Sequence, residues 1–182
     1  MTSAPDIAIR GFDRARDRRG VEAIDTAFET ATVFELVAAP RALTLIERPL
    51  AAPVTRRYPI GEVFAPWASW DTAWVAEEAA APDPIRGFAA VAYEGWHARL
   101  VLWFLYVAPA ARRQGLGRAL LARAEDHGRA CGATHVWLET SNVNVPGVAA
   151  YERLGYALCG ADALYYGDYM PGETAIYLAK RL

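Results

Sequence analysis

The clearest chemical signal in the chain is a turn rich in arginine and glycine between a predicted strand and a predicted helix. The strand covers Leu100 to Val107, Pro109 ends it, and apolar spacing predicts a helix over Gly115–Cys131. Gly115 and Gly117 allow a tight turn and let a ligand approach the backbone amides. The first N–H groups of a helix are unpaired and favour an anion, which the helix dipole reinforces. Three arginines add formal positive charge: Arg112, Arg113 and Arg118. The turn therefore predicts an anion site, most naturally for a diphosphate.

Two common phosphate-binding motifs do not fit this turn. A dinucleotide-binding fingerprint needs glycine where Leu120 stands, and a P-loop needs Lys-Ser/Thr where Arg118-Ala119 stands. A glycine-rich surface turn with solvated arginines stays open as the alternative.

A second group of candidate residues follows about twenty residues later. Glu139 ends a predicted strand over His135–Thr140, and Asn144 precedes a predicted helix over Pro146–Leu154. Tyr151 lies on that helix. The segment therefore brings an acid, an amide and a phenol into one short strand–turn–helix unit.

The R-x-x-G-x-G pattern at Arg112–Gly117, followed by N-x6-Y at Asn144 and Tyr151, resembles the GNAT superfamily of acetyl-CoA-dependent N-acetyltransferases. TVFEL, GFAAVAYEGWHARL, HVWLETSNVNVPGVAAYERLGYALCGADALYYG and GETAIYL resemble its streptothricin acetyltransferase branch, which acetylates an amino group of a cationic antibiotic. The resemblance implies an α/β (α+β) GNAT fold with a mixed sheet of six or seven strands. About four helices would flank this sheet, and its central strands would be splayed. It also implies one N-acetyltransferase domain over residues 1–182.

The cofactor implied by the resemblance is acetyl-CoA. Main-chain groups near Tyr106 and Val107 would bind its pantetheine arm, and Asn144 would hold that arm, cap the helix, or do both. The diphosphate would lie in the turn, mainly on backbone amides: Arg112, Arg113, Gln114, Gly115, Leu116, Gly117 and Arg118. No metal is expected, because the histidines and cysteines lack ligand spacing.

Two side chains are candidates for the proton transfers of an acetyl transfer. Tyr151 is the candidate general acid, with a core tyrosine as the alternative. Glu139 is the candidate base, because it matches the glutamate of the ribosomal-protein alanine acetyltransferases of this superfamily. A structural carboxylate is the alternative for Glu139. His97 is a second candidate base, because the free pKa of histidine suits neutral pH. Tyr151 would also contact the cofactor.

The acceptor side departs from the streptothricin branch. That branch carries acidic residues on the strand before the glycine turn, whereas Leu100–Val107 has no carboxylate and several aromatic residues. The candidate pocket residues are Trp67, Trp70, Trp96, His97, Trp103 and Phe104. We therefore expect direct acetylation of a small antibiotic-like or aromatic amine. The alternatives are a streptothricin-resistance enzyme that uses Glu35 or Asp162 as counter-charge, a protein N-terminal acetyltransferase, and a non-catalytic CoA-binding sensor.

The elements that must position these residues can be read from hydrophobic pattern. Strands are predicted over Ile7–Phe12, Ala42–Arg48, Trp74–Glu78, Ile85–Tyr93 and Thr174–Leu182, and a helix over Arg18–Phe28. The segment 28–37 fits helix and strand equally. The proline-rich segment 49–70 is predicted to be an ordered loop insertion.

Composition excludes several classes of protein. With 182 residues and a formal net charge of −2, the chain is neither a strongly basic nucleic-acid binder nor a highly charged disordered protein. Two cysteines cannot form a disulfide framework. The start lacks a signal-peptide core, and the longest apolar run is too short to span a bilayer. We expect a cytoplasmic monomer or homodimer with a small-molecule amine as substrate.

Overall fold

The computed structural model describes residues 7–81 and 84–182. Its strands are β1 (Ile7–Gly11), β2 (Phe28–Ala39), β3 (Ala42–Arg56), β4 (Thr72–Glu78), β5 (Ile85–Glu94), β6 (Arg99–Val107), β7 (His135–Ser141), β8 (Ala157–Asp162) and β9 (Ala175–Arg181). Its helices are α1 (Arg14–Glu22), α2 (Leu116–Ala130) and α3 (Val145–Arg153), with short 3-10 helices at Ile60–Phe64 and Pro109–Ala111. Seven of these strands belong to a mixed sheet and two to a separate ribbon, which confirms the α/β class.

The chain divides into two compact units. The first comprises Met1–Ala27, Arg57–Val136 and Leu182, and the second Phe28–Arg56 and Trp137–Arg181. No helix in the described part of the chain combines the length and apolar character that crossing a bilayer requires.

In the first unit, strands β1, β4, β5 and β6 pair antiparallel in that order. Successive residues of β5 point to opposite faces, so Phe88 joins one apolar cluster and Ala89 the other. The first cluster includes Val21 of α1, and the second includes Leu120 of α2. Strand β6 contributes to both clusters, which explains the nearly continuous apolar run of its sequence.

The second unit contains the strand order β7-β9-β8 and the ribbon of β2 and β3. The undecided segment 28–37 is strand in the structure. Asn142 connects the ribbon to the loop after β7. Its side-chain amide donates to the carbonyl of Phe34 at 2.8 Å, and Phe34 N–H donates back to Asn142 O at 3.1 Å.

Two predictions of local structure were wrong. The predicted loop insertion 49–70 is strand over its first eight residues, because β3 continues to Arg56. Pro49 is tolerated there because it lies beside an irregularity between Thr30 and Thr32, and because β3 pairs only with β2 in its sheet. The first helix begins and ends earlier than predicted, because it covers Arg14–Glu22 and Phe28 already belongs to β2. Asp13 caps it by accepting hydrogen bonds from the N–H groups of the two residues that follow Arg14.

Candidate active site

The turn between β6 and α2 presents a row of backbone N–H groups. Arg113 and Gly115 both adopt left-handed conformations, with φ of 63° and 85°. Such alternation points successive N–H groups to one side of the chain, which forms an anion-binding concavity. Among the described residues, none accepts a hydrogen bond from the backbone N–H groups of residues 113–118. This row is continuous with the unpaired first turn of α2.

The space in front of these amides is open. A Cβ atom placed on Gly115 would meet no atom within 4 Å, and one on Gly117 would meet only Val107 Cγ2 at 3.9 Å. The side chains of Arg113 and Arg118 are exposed and can turn toward this space. The unpaired backbone N–H groups, the open space beside the two glycines and the two arginine side chains together suit a diphosphate. Within residues 7–81 and 84–182, no three acidic, histidine or cysteine side chains converge to hold a metal ion.

In the second unit, Glu139 is hydrogen-bonded to Tyr166 and lies near enough to Tyr151 to influence its pKa. The Tyr166 hydroxyl donates a hydrogen bond to Glu139 Oε1. Burial raises the pKa of Glu139, and the hydrogen bond from Tyr166 lowers it in part. Burial and the nearby Glu139 carboxylate raise the pKa of Tyr151 well above its ordinary value. At neutral pH, Tyr151 therefore keeps its proton, and Glu139 holds a proton more readily than an exposed glutamate.

Asn144 fixes the start of the helix that carries Tyr151. Its Oδ1 accepts from Gly147 N–H at 3.1 Å, and its Nδ2 donates to Thr140 Oγ1 at 2.9 Å. A Cβ on Gly147 would lie 2.3 Å from Asn144 Nδ2, so only glycine fits beside this cap. Asn144 therefore caps the helix as expected and connects it to β7.

One face of the β7-β9-β8 strands combines aromatic rings with carboxylates. The rings of Trp137 and Tyr177 lie 5.1 Å apart, and Tyr165 packs at 6.0 Å from Tyr177. Gly160 makes room for this arrangement, because a Cβ there would lie 3.2 Å from Tyr177 Cδ2. Burial raises the pKa of Tyr177 to about 12, and the nearby charge of Asp162 adds to this shift. The face is therefore electronegative as well as aromatic.

Comparison with known proteins decides the family. The model of the acetyltransferase (GNAT) family matches residues 44–156. The chain belongs to this family. It is 39% identical to the streptothricin acetyltransferase of Streptomyces lavendulae over 172 residues, which cover 91% of this chain and 90% of that protein. The crystal structure of nourseothricin acetyltransferase superposes with a TM-score of 0.84 at 36% identity, covering 96% of this chain and 98% of that one. A Bacillus anthracis structure in complex with acetyl coenzyme A shares the fold, with a TM-score of 0.78 at 21% identity over 97% of this chain and 99% of that one.

In this acetyltransferase, Arg112 makes structural contacts that the sequence did not predict. Its guanidinium donates to Val107 O at 2.9 Å and to Ala27 O at 2.6 Å, so it holds the chain after α1 to the end of β6. Its backbone N–H is also used, by Pro109 O at 3.2 Å. Burial lowers the pKa of Arg112. The guanidinium of Arg112 is therefore engaged by backbone carbonyls beside the turn, and its contact with a diphosphate stays a prediction.

The other turn residues of the acetyltransferase lie around the open amides. Gln114 donates from its side chain to Ala110 O at 3.1 Å, which stabilises the turn from within. Leu116 is buried in the cluster under α2. Tyr106 and Val107 pair with Phe88 and Gly87 of β5, at the strand end next to the turn.

The predicted pocket residues fall into three places. Trp67 and Trp103 face each other with ring centroids 6.4 Å apart, and Phe104 lies 6.3 Å from Trp103. Trp70 is partly buried and packs against the core cluster, where its indole N–H donates to Val63 O at 2.7 Å.

The remaining two predicted pocket residues, Trp96 and His97, lie in the turn before β6. That strand has nine residues, which places the turn about 30 Å from Val107 at the other end. Trp96 is 85% exposed, and His97 Nδ1 lies 3.2 Å from Glu94. Their assignment to the pocket is corrected, because a surface turn at the far end of β6 cannot line a site beside the glycine turn.

Tyr166 is the residue that sequence reasoning missed. It lies in the segment after β8, and nothing in the local pattern links it to Glu139. The only available signal was the density of tyrosines in ALYYGDY, at residues 163–169.

Proposed function

We propose that this acetyltransferase transfers an acetyl group directly from acetyl-CoA to an amino group of a small cationic, antibiotic-like amine, with both substrates bound together. The observation that carries the proposal is the pair formed by Glu139 and Tyr151. Each holds a proton more tightly than usual, and the two are close enough to affect each other electrostatically.

The residues of the open turn would hold the cofactor. The N–H groups of residues 113–118 would bind its diphosphate, and Arg113 and Arg118 would neutralise the charge. Acetyl-CoA, when bound, supplies the acetyl group as a reactive thioester. The role of Arg112 is to hold the end of β6 beside this turn.

The proton transfers are assigned to Glu139 and Tyr151. An amine attacks only after losing a proton, and a carboxylate with a raised pKa is a better acceptor for that proton than an exposed one. The Tyr151 hydroxyl stays protonated at neutral pH and serves as the donor to the leaving group. Tyr166 orients the Glu139 carboxylate through its hydrogen bond.

The class of acceptor amine is inferred from the positions of the acidic residues. Strand β6 has no acidic residue between Leu100 and Val107, so a cationic acceptor needs its counter-charge from another element. We propose Glu139 and Asp162 as the counter-charge, and the rings of Trp137 and Tyr177 in the same unit would add a cation–π contribution of about 0.5–2 kcal/mol.

A second candidate function is streptothricin resistance itself. It is favoured by the 39% identity to the Streptomyces lavendulae enzyme over nearly the whole chain. Asp162 and Glu139 would then replace the acidic residues that β6 lacks. Glu35 is less suited to this role, because its carboxylate already pairs with Arg48 at 2.7 Å on the ribbon.

The test is a thiol-release assay with acetyl-CoA and a panel of amines that includes streptothricin, lysinamide, 1,5-diaminopentane and an alanine-ended peptide. The proposal predicts turnover with a cationic small molecule and none with the peptide. Turnover confined to the peptide would favour protein N-terminal acetylation. Acetyl-CoA binding by thermal shift without turnover of any amine would favour a non-catalytic sensor.

A further inference from the structure

Trp103 is the extra residue of a β-bulge in β6. Phe104 pairs with Ala90 of β5, and Leu102 pairs with the next residue, Val91, so Trp103 has no partner on β5. A bulge re-aims the side chain of the extra residue. Trp103 consequently packs against the same apolar cluster as its neighbour Phe104, instead of pointing to the opposite face.

The indole N–H of Trp103 is buried, and no residue of the described chain accepts a hydrogen bond from it. Trp70 provides the comparison within the same cluster, since its indole N–H has Val63 O as acceptor. An unpaired buried donor lowers stability, and phenylalanine would avoid that cost. The donor is therefore best explained by a bound partner that the free protein does not contain.

The residues around the Trp103 indole N–H suit a hydrogen-bond acceptor group of a ligand. Trp67 follows the 3-10 helix Ile60–Phe64, is 55% exposed, and lies with its ring 6.4 Å from that of Trp103. An indole N–H can only donate, so the group that binds it must accept a hydrogen bond. The aromatic surroundings favour a neutral acceptor over an anion, because an unpaired charge is costly to desolvate.

We propose that Trp103 is a specificity-determining residue whose indole N–H donates a hydrogen bond to a neutral acceptor atom of the amine substrate, with the Trp67 ring beside it. The substrate class is thereby narrowed to amines that also carry an amide carbonyl or a similar group. This inference rests on the proposed acetyl transfer to a small amine.

The kinetic test compares matched substrates in the wild type and in Trp103→Phe. Lysinamide carries an amide carbonyl, whereas 1,5-diaminopentane has two amino groups and none. We expect Trp103→Phe to raise the KM for lysinamide about tenfold, the effect of one lost hydrogen bond, with no change for the diamine or acetyl-CoA. Its melting temperature should not fall by more than that of Trp74→Phe. Trp74 lies against His127, in the other cluster, and its variant should leave both amine KM values unchanged.

A second experiment measures binding of the amine to Trp103 in the absence of turnover. The indole N–H signals of the six tryptophans are followed by NMR in wild-type protein, and the Trp103 signal is assigned by its loss in Trp103→Phe. Titration with lysinamide or streptothricin should move that signal downfield, and the diamine should not. A Trp103 signal that stays in place at saturation, or equal KM changes for the two amines, would overturn the proposal. Acetyl transfer that fails while the signal still moves would reject the proposed function and leave Trp103 as a binding residue.

Discussion

Removing the Tyr166 hydroxyl should shift the acidic limb of the pH–activity profile to higher pH. In the structure, this hydroxyl donates to Glu139 and stabilises the charged carboxylate, which lowers its pKa against the opposing effect of burial. Tyr166→Phe removes the stabilising contact and leaves the burial. The pKa of Glu139 must then rise, so the acidic limb of the kcat/KM profile moves to higher pH.

The size of this shift follows from the value of a hydrogen bond to a charged group. Such a bond contributes about 1.5–3 kcal/mol, and one pH unit corresponds to about 1.4 kcal/mol. Solvent entering the space left by the hydroxyl would recover part of this energy, so the expected displacement is about one pH unit.

The assay is thiol release with acetyl-CoA and the best amine of the panel, measured as kcat/KM at closely spaced pH values. Tyr165→Phe is the matched control, because its ring lies 5.2 Å from that of Tyr166 while no hydrogen bond joins it to Glu139. An acidic limb that stays in place in Tyr166→Phe, or moves to lower pH, would refute the assignment of Glu139 as base.

Three further predictions concern the acid, the helix cap and the acid stability of the fold. Tyr151→Phe should lower kcat by about 10²–10⁴-fold while the Kd for acetyl-CoA stays within twofold; unchanged turnover would remove Tyr151 from the reaction. Gly147→Ala should lower the free energy of unfolding by about 1–2 kcal/mol in urea denaturation, because its Cβ collides with the Asn144 cap; an unchanged midpoint would contradict this. Asp17→Asn should cost about 3 kcal/mol at neutral pH, since it breaks the buried ion pair with Arg10. The hydrogen bond from Arg10 keeps the pKa of Asp17 low despite burial, so the stability difference should narrow as the pH falls below 3.8, and a constant difference would argue against the ion pair.

Gly61→Ala is the control for the helix cap. A Cβ there meets no atom within 4 Å, so the urea midpoint of this variant should equal that of the wild type.

The backbone of the turn between β6 and α2 could be predicted from the sequence because its determinants are local. Pro109 ends a strand, Gly115 takes a left-handed conformation, and the helix begins at the next residue. The backbone of such a turn follows from residue types within a few positions. The side-chain contacts of Arg112 could not be predicted in this way, because its acceptor at Ala27 lies 85 residues away.

The segment 49–70, which was predicted to be a loop, shows the same limit of prediction from local residue types. Pro49 and Pro53 are strand-breaking residues by local rules, yet β3 contains both, since an edge strand needs no N–H donor on its open side. Glu139 and Tyr151 were proposed as the proton-transfer pair by resemblance, whereas the Tyr166 contact spans 27 residues and depends on how the segment after β8 folds back. The distance of Trp96 and His97 from the glycine turn follows from chain order once 99–107 is known to be one extended strand, because they precede it and the turn follows it.

The central claim is that this chain acetylates a small cationic amine. Its most direct measurement is mass spectrometry of streptothricin and lysinamide after incubation with acetyl-CoA, beside thiol release in the same samples. The account predicts one acetyl group on an amino nitrogen of the small molecule, with an equal amount of free thiol, and loss of both in Glu139→Gln. Thiol release without an acetylated amine would contradict the claim, and full activity in Glu139→Gln would contradict the assignment of Glu139 as the base.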